Sequence, residues 1–346
     1  MGNKNLNAAA KAKKDKFYTQ LEDIENELRH YREFFAGKVV LCNCDDPFES
    51  NFFKYFAAKF NDLELKKLIC TSYADSPIAG LELNLFPDGK TAYMVEVNEL
   101  KDWNGDGGED LDDVAFAIEN GIYKKQPLTG DMDYCAGDFR SAELVNLLRQ
   151  ADVVVTNPPF SVFREFVALM IAANKKFLIV GNMNAITYKE IFPLIMANKL
   201  WLGYGFNGGN AYFSLPYGAY KDFADGVYDE ATGLVKFRNV TWYTNIETPK
   251  RYWELDLWKE YSPEEYPRYD NYDAIEVSKT DHIPVDYFGV MGVPITFLDK
   301  YNPEQFELLG CTYSYGDCGC HVAGTDWNAY LNGKRMFKRL FIRRRQ

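Results

Sequence analysis

Residues 152–163 read DVVVTNPPFSVF. Three valines and a threonine run together with no polar alternation, as in a strand buried on both faces of a sheet. The strand stops at Asn157-Pro158-Pro159-Phe160, and a helical pattern, SVFREFVALMIAANK, follows. The prolines fix φ and remove two N–H donors. Each also drives the residue before it into an extended conformation. The corner is therefore rigid. It offers the Asn157 amide oxygen and the Pro158 carbonyl as two acceptors at fixed spacing, with Phe160 as a flat surface beside them. An exocyclic amine on a planar ring is the complement: both hydrogens are accepted, and the nitrogen lone pair is left to attack an electrophile, which is catalysis by positioning. The plainer alternative is a tight strand-to-helix turn with nothing bound.

Outward from this corner, strand-like and helix-like segments alternate. Apolar runs at KVVLCNC (38–44), LKKLICTSY (65–73), TAYMVEVNEL (91–100), KFLIVGN (176–182) and WLGYG (201–205) read as strands. DDPFESNFFKYFAAKF, SAELVNLLRQA and YKEIFPLIMANK read as helices or loops opening them, and residues 5–35 read as one N-terminal helix closed by Gly37. Such alternation predicts an α/β fold with a parallel sheet covered on both faces, its ligands held outside the carboxyl ends of the strands. Beyond about residue 215 the alternation fails, and short strands (VTWYTNI, PITFL, RLFIRR) take over.

Composition narrows the class. The chain has 346 residues, 47% hydrophobic, 16% aromatic and 26% charged, with a net charge of −11. That is ordinary for a soluble globular protein and argues against general coating by nucleic acid, but not against a local basic groove. Residues 4–16 hold five lysines against one Asp, residues 334–345 hold seven Lys or Arg and no acid, and residues 99–113 hold seven acids and one Lys. No apolar run is long enough to span a membrane, and no signal peptide opens the chain. The seven cysteines predict reduced thiols in a cytoplasmic protein. In the basic tail LNGKRMFKRLFIRRRQ, Phe337, Leu340, Phe341 and Ile342 interleave with Lys334, Arg335, Lys338, Arg339, Arg343 and Arg344. This pattern fits a strand with one face on a core and one on phosphates.

Two further patterns are weaker. DWNGDGGEDLDD (102–113) matches a calcium loop at several positions but ends in Asp113 where Glu is usual. Cys311, Cys318, Cys320 and His321 fit no standard zinc spacing. No metal is assigned.

The corner tetrapeptide resembles the catalytic motif of amino-group methyltransferases. GDFRS (137–141), VVTNPPFSVFREF (154–166), FLIVGNMNAITYKEIF (177–192), YPRYDNYDAIEV (266–277) and GVMGVPITFLDKYNPEQFELLG (289–310) resemble segments of the EcoRI-type adenine-specific DNA methyltransferase family. The resemblance implies S-adenosylmethionine as cofactor, double-stranded DNA as partner, and Asn157, Pro158, Pro159 and Phe160 as the catalytic corner. It implies a Rossmann-like methyltransferase sheet covered by helices, with a mixed strand-rich C-terminal target-recognition region. It further implies that Asp45, Asp46, Pro47 and Phe48 open the cofactor loop, where an Asp is suited to the methionyl amine by a charge-assisted bond. Glu49, Asn51 and Phe52 stand where that loop has small residues in the family. By the same resemblance Asp138 meets the cofactor adenine amine, Phe139 packs on its ring, and Tyr18 and Thr19 close the pocket with Asn157, although Gln20 replaces the family's proline. Cys70-Thr71-Ser72 holds no acid for the ribose, which stays unassigned.

A target amine inside a duplex must be flipped out, with Tyr212 or Phe213 as a second stacking face. The expected organisation is an N-terminal helix (1–36), a catalytic domain (37–215) and a C-terminal region (216–346) that completes the sheet and reads the target. A monomer is expected, with a cognate restriction endonuclease as a possible companion. The competing readings are methylation of RNA adenine or of a protein glutamine amide, and a non-catalytic DNA-binding protein on a degenerate methyltransferase fold.

Overall fold

The structure is a computed structural model. It describes residues 17–44, 46–47, 50–73, 92–206, 209–215, 226–312 and 319–346. The chain divides into two compact units: Met1–Asn182 with Gly205–Ile246, and Met183–Tyr204 with Glu247–Gln346.

In the first unit, β1 (Tyr18–Thr19) precedes α1 (Leu21–Leu28) and α2 (Arg32–Phe35). Then come β2 (Val39–Cys42), α3 (Asn51–Ala58), β3 (Lys67–Thr71), β4 (Tyr93–Val97), α4 (Leu111–Glu119) and β5 (Lys125–Pro127). Next follow α5 (Ala142–Gln150), β6 (Val153–Thr156), α6 (Phe163–Ala172) and β7 (Lys176–Asn182). The unit ends with β8 (Ala211–Ser214), β9 (Tyr228–Asp229), β10 (Leu234–Phe237) and β11 (Val240–Thr244).

Its large sheet runs β5-β4-β3-β2-β6-β7-β11. The central pairs β3–β2, β2–β6 and β6–β7 are parallel. The flanking strands β4, β5 and β11 are antiparallel to their neighbours, so the sheet is mixed rather than wholly parallel. All of β6 is buried, as its unbroken β-branched run requires. Ser50 and Ser141 cap α3 and α5 by accepting the Phe52 and Leu144 N–H groups.

Four local expectations are corrected. Residues 17–20 are not helical: Tyr18 and Thr19 pair with Ser214 and Phe213, and the helix begins at Leu21. The earlier part of the anticipated helix lies outside the described residues. Residues 111–119, absent from the sequence reading, form α4, whose Asp110 and Asp113 make a reciprocal capping box. Ile295–Lys300 is a 3₁₀ turn rather than a strand, because Pro294 ends the strand before it. Cys42, Cys44, Cys70, Cys135 and Cys311 are free thiols, whereas Cys320 is disulfide-bonded.

The second unit carries β12 (Ile275–Glu276), β13 (Met291–Pro294), β14 (Phe306–Cys311), the hairpin β15 (Tyr330–Leu331) with β16 (Lys334–Arg335), and β17 (Arg339–Arg344). Its main sheet runs β12-β13-β17-β14. Tyr269, Tyr272, Ala274, Cys320, Ala329 and Phe341 form a buried cluster beside it.

Candidate active site

The corner at 157–160, expected to be catalytic, follows the last residue of β6. The Thr156 hydroxyl donates to the Asn43 carbonyl, which ties the end of β6 to the residue just after β2. Asn157 is half-buried. Its Nδ2 donates to the Phe17 carbonyl at 2.7 Å and lies 3.4 Å from Thr19 Oγ1. Both amide hydrogens thus face the segment 17–19, and Oδ1 is the acceptor face. Pro158 is buried, and the Pro159 carbonyl accepts the Val162 N–H at 3.0 Å to close a 3₁₀ turn headed by Phe160. The Pro158 carbonyl takes no part in that turn.

The segment bearing Tyr18 and Thr19 is held from two further sides. Asn51, the first residue of α3, donates to the Thr19 carbonyl at 2.8 Å. The Phe17 ring meets Phe213 and Phe237 edge-on at 6.2 and 4.8 Å. Phe213 is wholly buried in this cluster, so it is a core residue and not a face for a base; Tyr212, 40% exposed, keeps that possibility.

Of the loop expected to meet the cofactor, Asp45, Phe48 and Glu49 lie outside the described residues. Asp46 is 2% exposed. Its Oδ1 accepts the Tyr93 hydroxyl at 2.9 Å, and its carbonyl accepts the Ser50 N–H at 2.7 Å. Lys125 lies over the Tyr93 ring at 3.7 Å. Burial holds its pKa below the usual lysine value, and the Asp46 charge opposes that shift.

Gly137 has φ +80°, and a Cβ there would stand 2.1 Å from the Ser72 carbonyl. Only glycine allows this approach. It sets Asp138 and Phe139 against the segment that leaves β3. Asp138 is buried, and its carboxylate receives Arg140 Nε at 3.0 Å, Nη2 at 2.8 Å and the Arg140 backbone N–H at 2.9 Å. Arg140 also reaches Glu165 on α6 at 2.6 Å. Its bonds to Asp138 drive its pKa further up. Phe139 is buried edge-on to Phe166 at 5.0 Å.

Two buried polar atoms mark where a ligand fits. Asn43 Oδ1 and Thr71 Oγ1 have no hydrogen-bond partner, though their residues are 2% and 0% exposed. They follow or end the neighbouring parallel strands β2 and β3, where Cys42 pairs with Cys70. Orphaned buried groups are costly in a folded chain. Their position at the carboxyl ends of parallel strands is where such sheets hold ligands. The donor and acceptor set is apt for a polar, cationic methyl donor. Asn43, Thr71, Tyr93, Arg140 and Glu165 were missed from sequence; only Asn43 and Thr71, lying at strand ends, left a signal there.

The basic tail separates by burial. Arg339 is 7% exposed and grips Glu276 with Nη2 at 2.7 Å and Nε at 3.0 Å. The Tyr269 hydroxyl donates to the same carboxylate. Arg339 is therefore a core ion pair, not the phosphate contact expected. Arg344 donates to the Val285 carbonyl. Lys338 is half-buried and donates to Thr187 Oγ1 at 2.6 Å, while Lys334, Arg335 and Arg343 are exposed.

Among the described residues no group of three or more His, Cys, Asp or Glu side chains is placed to hold a metal ion. In the acidic loop, Asp102 accepts the N–H groups of Gly105, Asp106 and Gly107, and Asp113 accepts those of Trp103 and Asn104. His321 stacks on Trp327 at 4.0 Å. No described helix is long and apolar enough to cross a membrane.

A strand-end amide fixed beside a proline pair, on a sheet of this kind, is built to hold and orient a planar amine. Comparison with known proteins makes the class specific. The family model described as "Adenine-specific methyltransferase EcoRI" matches residues 5–345, and the chain belongs to that family. It is 46% identical over 313 residues to the type II methyltransferase M.EcoRI of Escherichia coli, covering 89% of each chain. It is 36% identical over 360 residues to M.MpnI of Mycoplasma pneumoniae, covering 99% of this chain and 98% of the relative. M.MgeORF184P of Mycoplasma genitalium is 35% identical over 352 residues, 99% of each. No solved structure matches. The protein is an adenine-specific DNA methyltransferase, and its reaction consumes a methyl donor.

Proposed function

We propose that the methyl donor is S-adenosylmethionine and that the acceptor is the N6 amine of an adenine flipped out of duplex DNA. The observation that carries this reading is the Asn157 amide. With Nδ2 committed to the Phe17 carbonyl at 2.7 Å, Oδ1 accepts one amine hydrogen and the Pro158 carbonyl the other. The amine nitrogen is then held with its lone pair directed at the methyl group. Bound S-adenosylmethionine supplies an electrophilic methyl on a sulfonium. The chain contributes orientation. Phe160 stacks on the base, with Tyr212 as the opposite face, and the excess proton leaves the amine during or after transfer.

Asp46 holds the cofactor's amino group, and Asp138, set in place by Arg140, faces the adenine end. Asn43 and Thr71 supply polar contacts from the strand ends. Tyr18 and Thr19 close the methionine end. Target reading belongs to the region beyond about residue 215, with Lys334, Arg335 and Lys338 on phosphates. The enzyme acts in the cytoplasm as a monomer, since one flipped base needs one site, and a restriction endonuclease sharing its target is its natural companion.

The test is transfer of labelled methyl from S-adenosylmethionine to duplex DNA, RNA and protein offered in parallel. Label is expected in N6-methyladenine of the duplex. Label only in RNA or protein would overturn the proposal.

A further inference from the structure

The hairpin of β15 and β16 turns on Asn332 and Gly333, both at positive φ (51° and 73°). This is the turn that matches the twist of paired strands. Asp270 fixes the tip by accepting the N–H groups of Asn332 at 3.0 Å and Gly333 at 2.7 Å. The Met336 N–H donates to the Ala329 carbonyl at 2.8 Å, and Met336 packs against the buried aromatic cluster. Three residues later, Arg339 is locked to Glu276.

Phe337 stands between these fixed points and is 87% exposed, the most exposed Phe, Tyr or Trp ring among the described residues. It borders an open groove with Asn184, Ser278, Pro294, Arg335 and Lys338. No acid lines this groove, in a chain of net charge −11. Half-buried Pro294, Ile295 and Met336 line it as well, so one fully exposed ring stands on a partly apolar wall beside the cations Arg335 and Lys338, an amide and a hydroxyl. It has the composition of a DNA-binding element that inserts an apolar side chain between base steps while cations meet the phosphates.

We propose that Phe337 is such a wedge: its ring enters between two adjacent base pairs of duplex DNA, with Lys334, Arg335 and Lys338 on the flanking backbone. This rests on the DNA-directed reading above. The rigid hairpin and the buried strand hold the ring outward before DNA arrives, so no folding cost accompanies insertion.

The test uses the full-length enzyme and a duplex bearing the site found by mapping N6-methyladenine. 2-Aminopurine is placed at each position in turn. Wild type is expected to raise fluorescence at the target base and at one further step. Phe337→Ala should abolish that second signal and lower kcat/KM on the duplex by about tenfold, with S-adenosylmethionine affinity unchanged. Phe337→Leu, which keeps an apolar wedge, should retain the second signal. A mismatch at that step, already unstacked, should restore most of the activity of Phe337→Ala, which a merely structural role would not allow. The wedge is overturned if Phe337→Ala keeps the second signal, or if its loss is equal on matched and mismatched duplexes. It is also overturned if its defect appears only in binding a protein or a vesicle. Failure of wild type to methylate any duplex would instead overturn the underlying reading, and the wedge with it.

Discussion

The Asn157 side-chain amide donates to the Phe17 carbonyl, 140 residues earlier in the chain, at 2.7 Å. The contact fixes which end of the amide faces the pocket. It also joins the catalytic corner to the segment bearing Tyr18 and Thr19, itself held by Asn51. On the function proposed above, removing the amide removes one of two acceptors for the target amine. Asn157→Ala is expected to lower kcat by about 10²-fold or more, since lost alignment alone reaches that size. Affinity for S-adenosylmethionine should be largely kept. Single-turnover methylation and calorimetric titration check the two halves separately. Loss of cofactor affinity with kcat preserved would assign Asn157 to binding instead.

Asp46 and Tyr93 form a buried pair at 2.9 Å in which the phenol donates. If the carboxylate meets the cofactor's ammonium group, Asp46→Asn loses a charge-assisted bond worth about 1.5–3 kcal/mol. That is about a 10- to 150-fold loss in affinity. Tyr93→Phe loses a hydrogen bond that only orients the acid, worth about 0.5–1.5 kcal/mol. The smaller loss is expected from the smaller role. Equal losses measured by calorimetry would mean that Asp46 serves the packing of the loop and not the ligand.

The corner at 157–160 was legible because its signals are local: four β-branched residues, two prolines, and a helical pattern after them. The α/β class followed from the same kind of evidence. Contacts remote in sequence were not legible. Tyr18 and Thr19 sit in a helix-rich composition, yet their backbone is claimed by Phe213 and Ser214. The acids at 110–113 read as the end of a candidate calcium loop, although Asp110 and Asp113 cap a helix. Arg339 looked like its neighbours in a basic run, because nothing within the run announces that Glu276, 63 residues away, lies beneath it.

That difference among the cations is measurable. Arg339→Ala leaves the Glu276 carboxylate buried without its partner, and breaking a buried pair from one side costs about 3–5 kcal/mol. Its effect on the salt dependence of DNA binding should be nil wherever the variant is folded. Lys334→Ala and Arg335→Ala should barely alter stability, but each should reduce the slope of log K against log salt by about one. Urea melts and binding at graded salt separate the two classes. A reduced salt slope in folded Arg339→Ala would return that residue to the DNA surface.

Asp23 predicts how stability changes with pH. Burial raises its pKa from 3.8 to about 6; the adjacent Glu22 charge adds to the shift, and the Tyr212 N–H opposes it. The folded state thus binds this proton more tightly than the unfolded chain does. The contribution from protonated Asp23 is fully present below about pH 4 and is lost as pH rises through about 6. Asp23→Asn should therefore raise Tm near pH 7.5, change it little near pH 4, and flatten the dependence between those limits. The effect matters beyond α1, because Tyr212 lies on β8, whose next residue, Phe213, pairs with Thr19. Ionisation at Asp23 places a poorly solvated charge against the strand that pairs with Tyr18 and Thr19. Calorimetric melts of both proteins across that range decide the matter. A lower Tm for Asp23→Asn at pH 7.5 would show that the bond from Tyr212 to the carboxylate outweighs the cost of burying its charge.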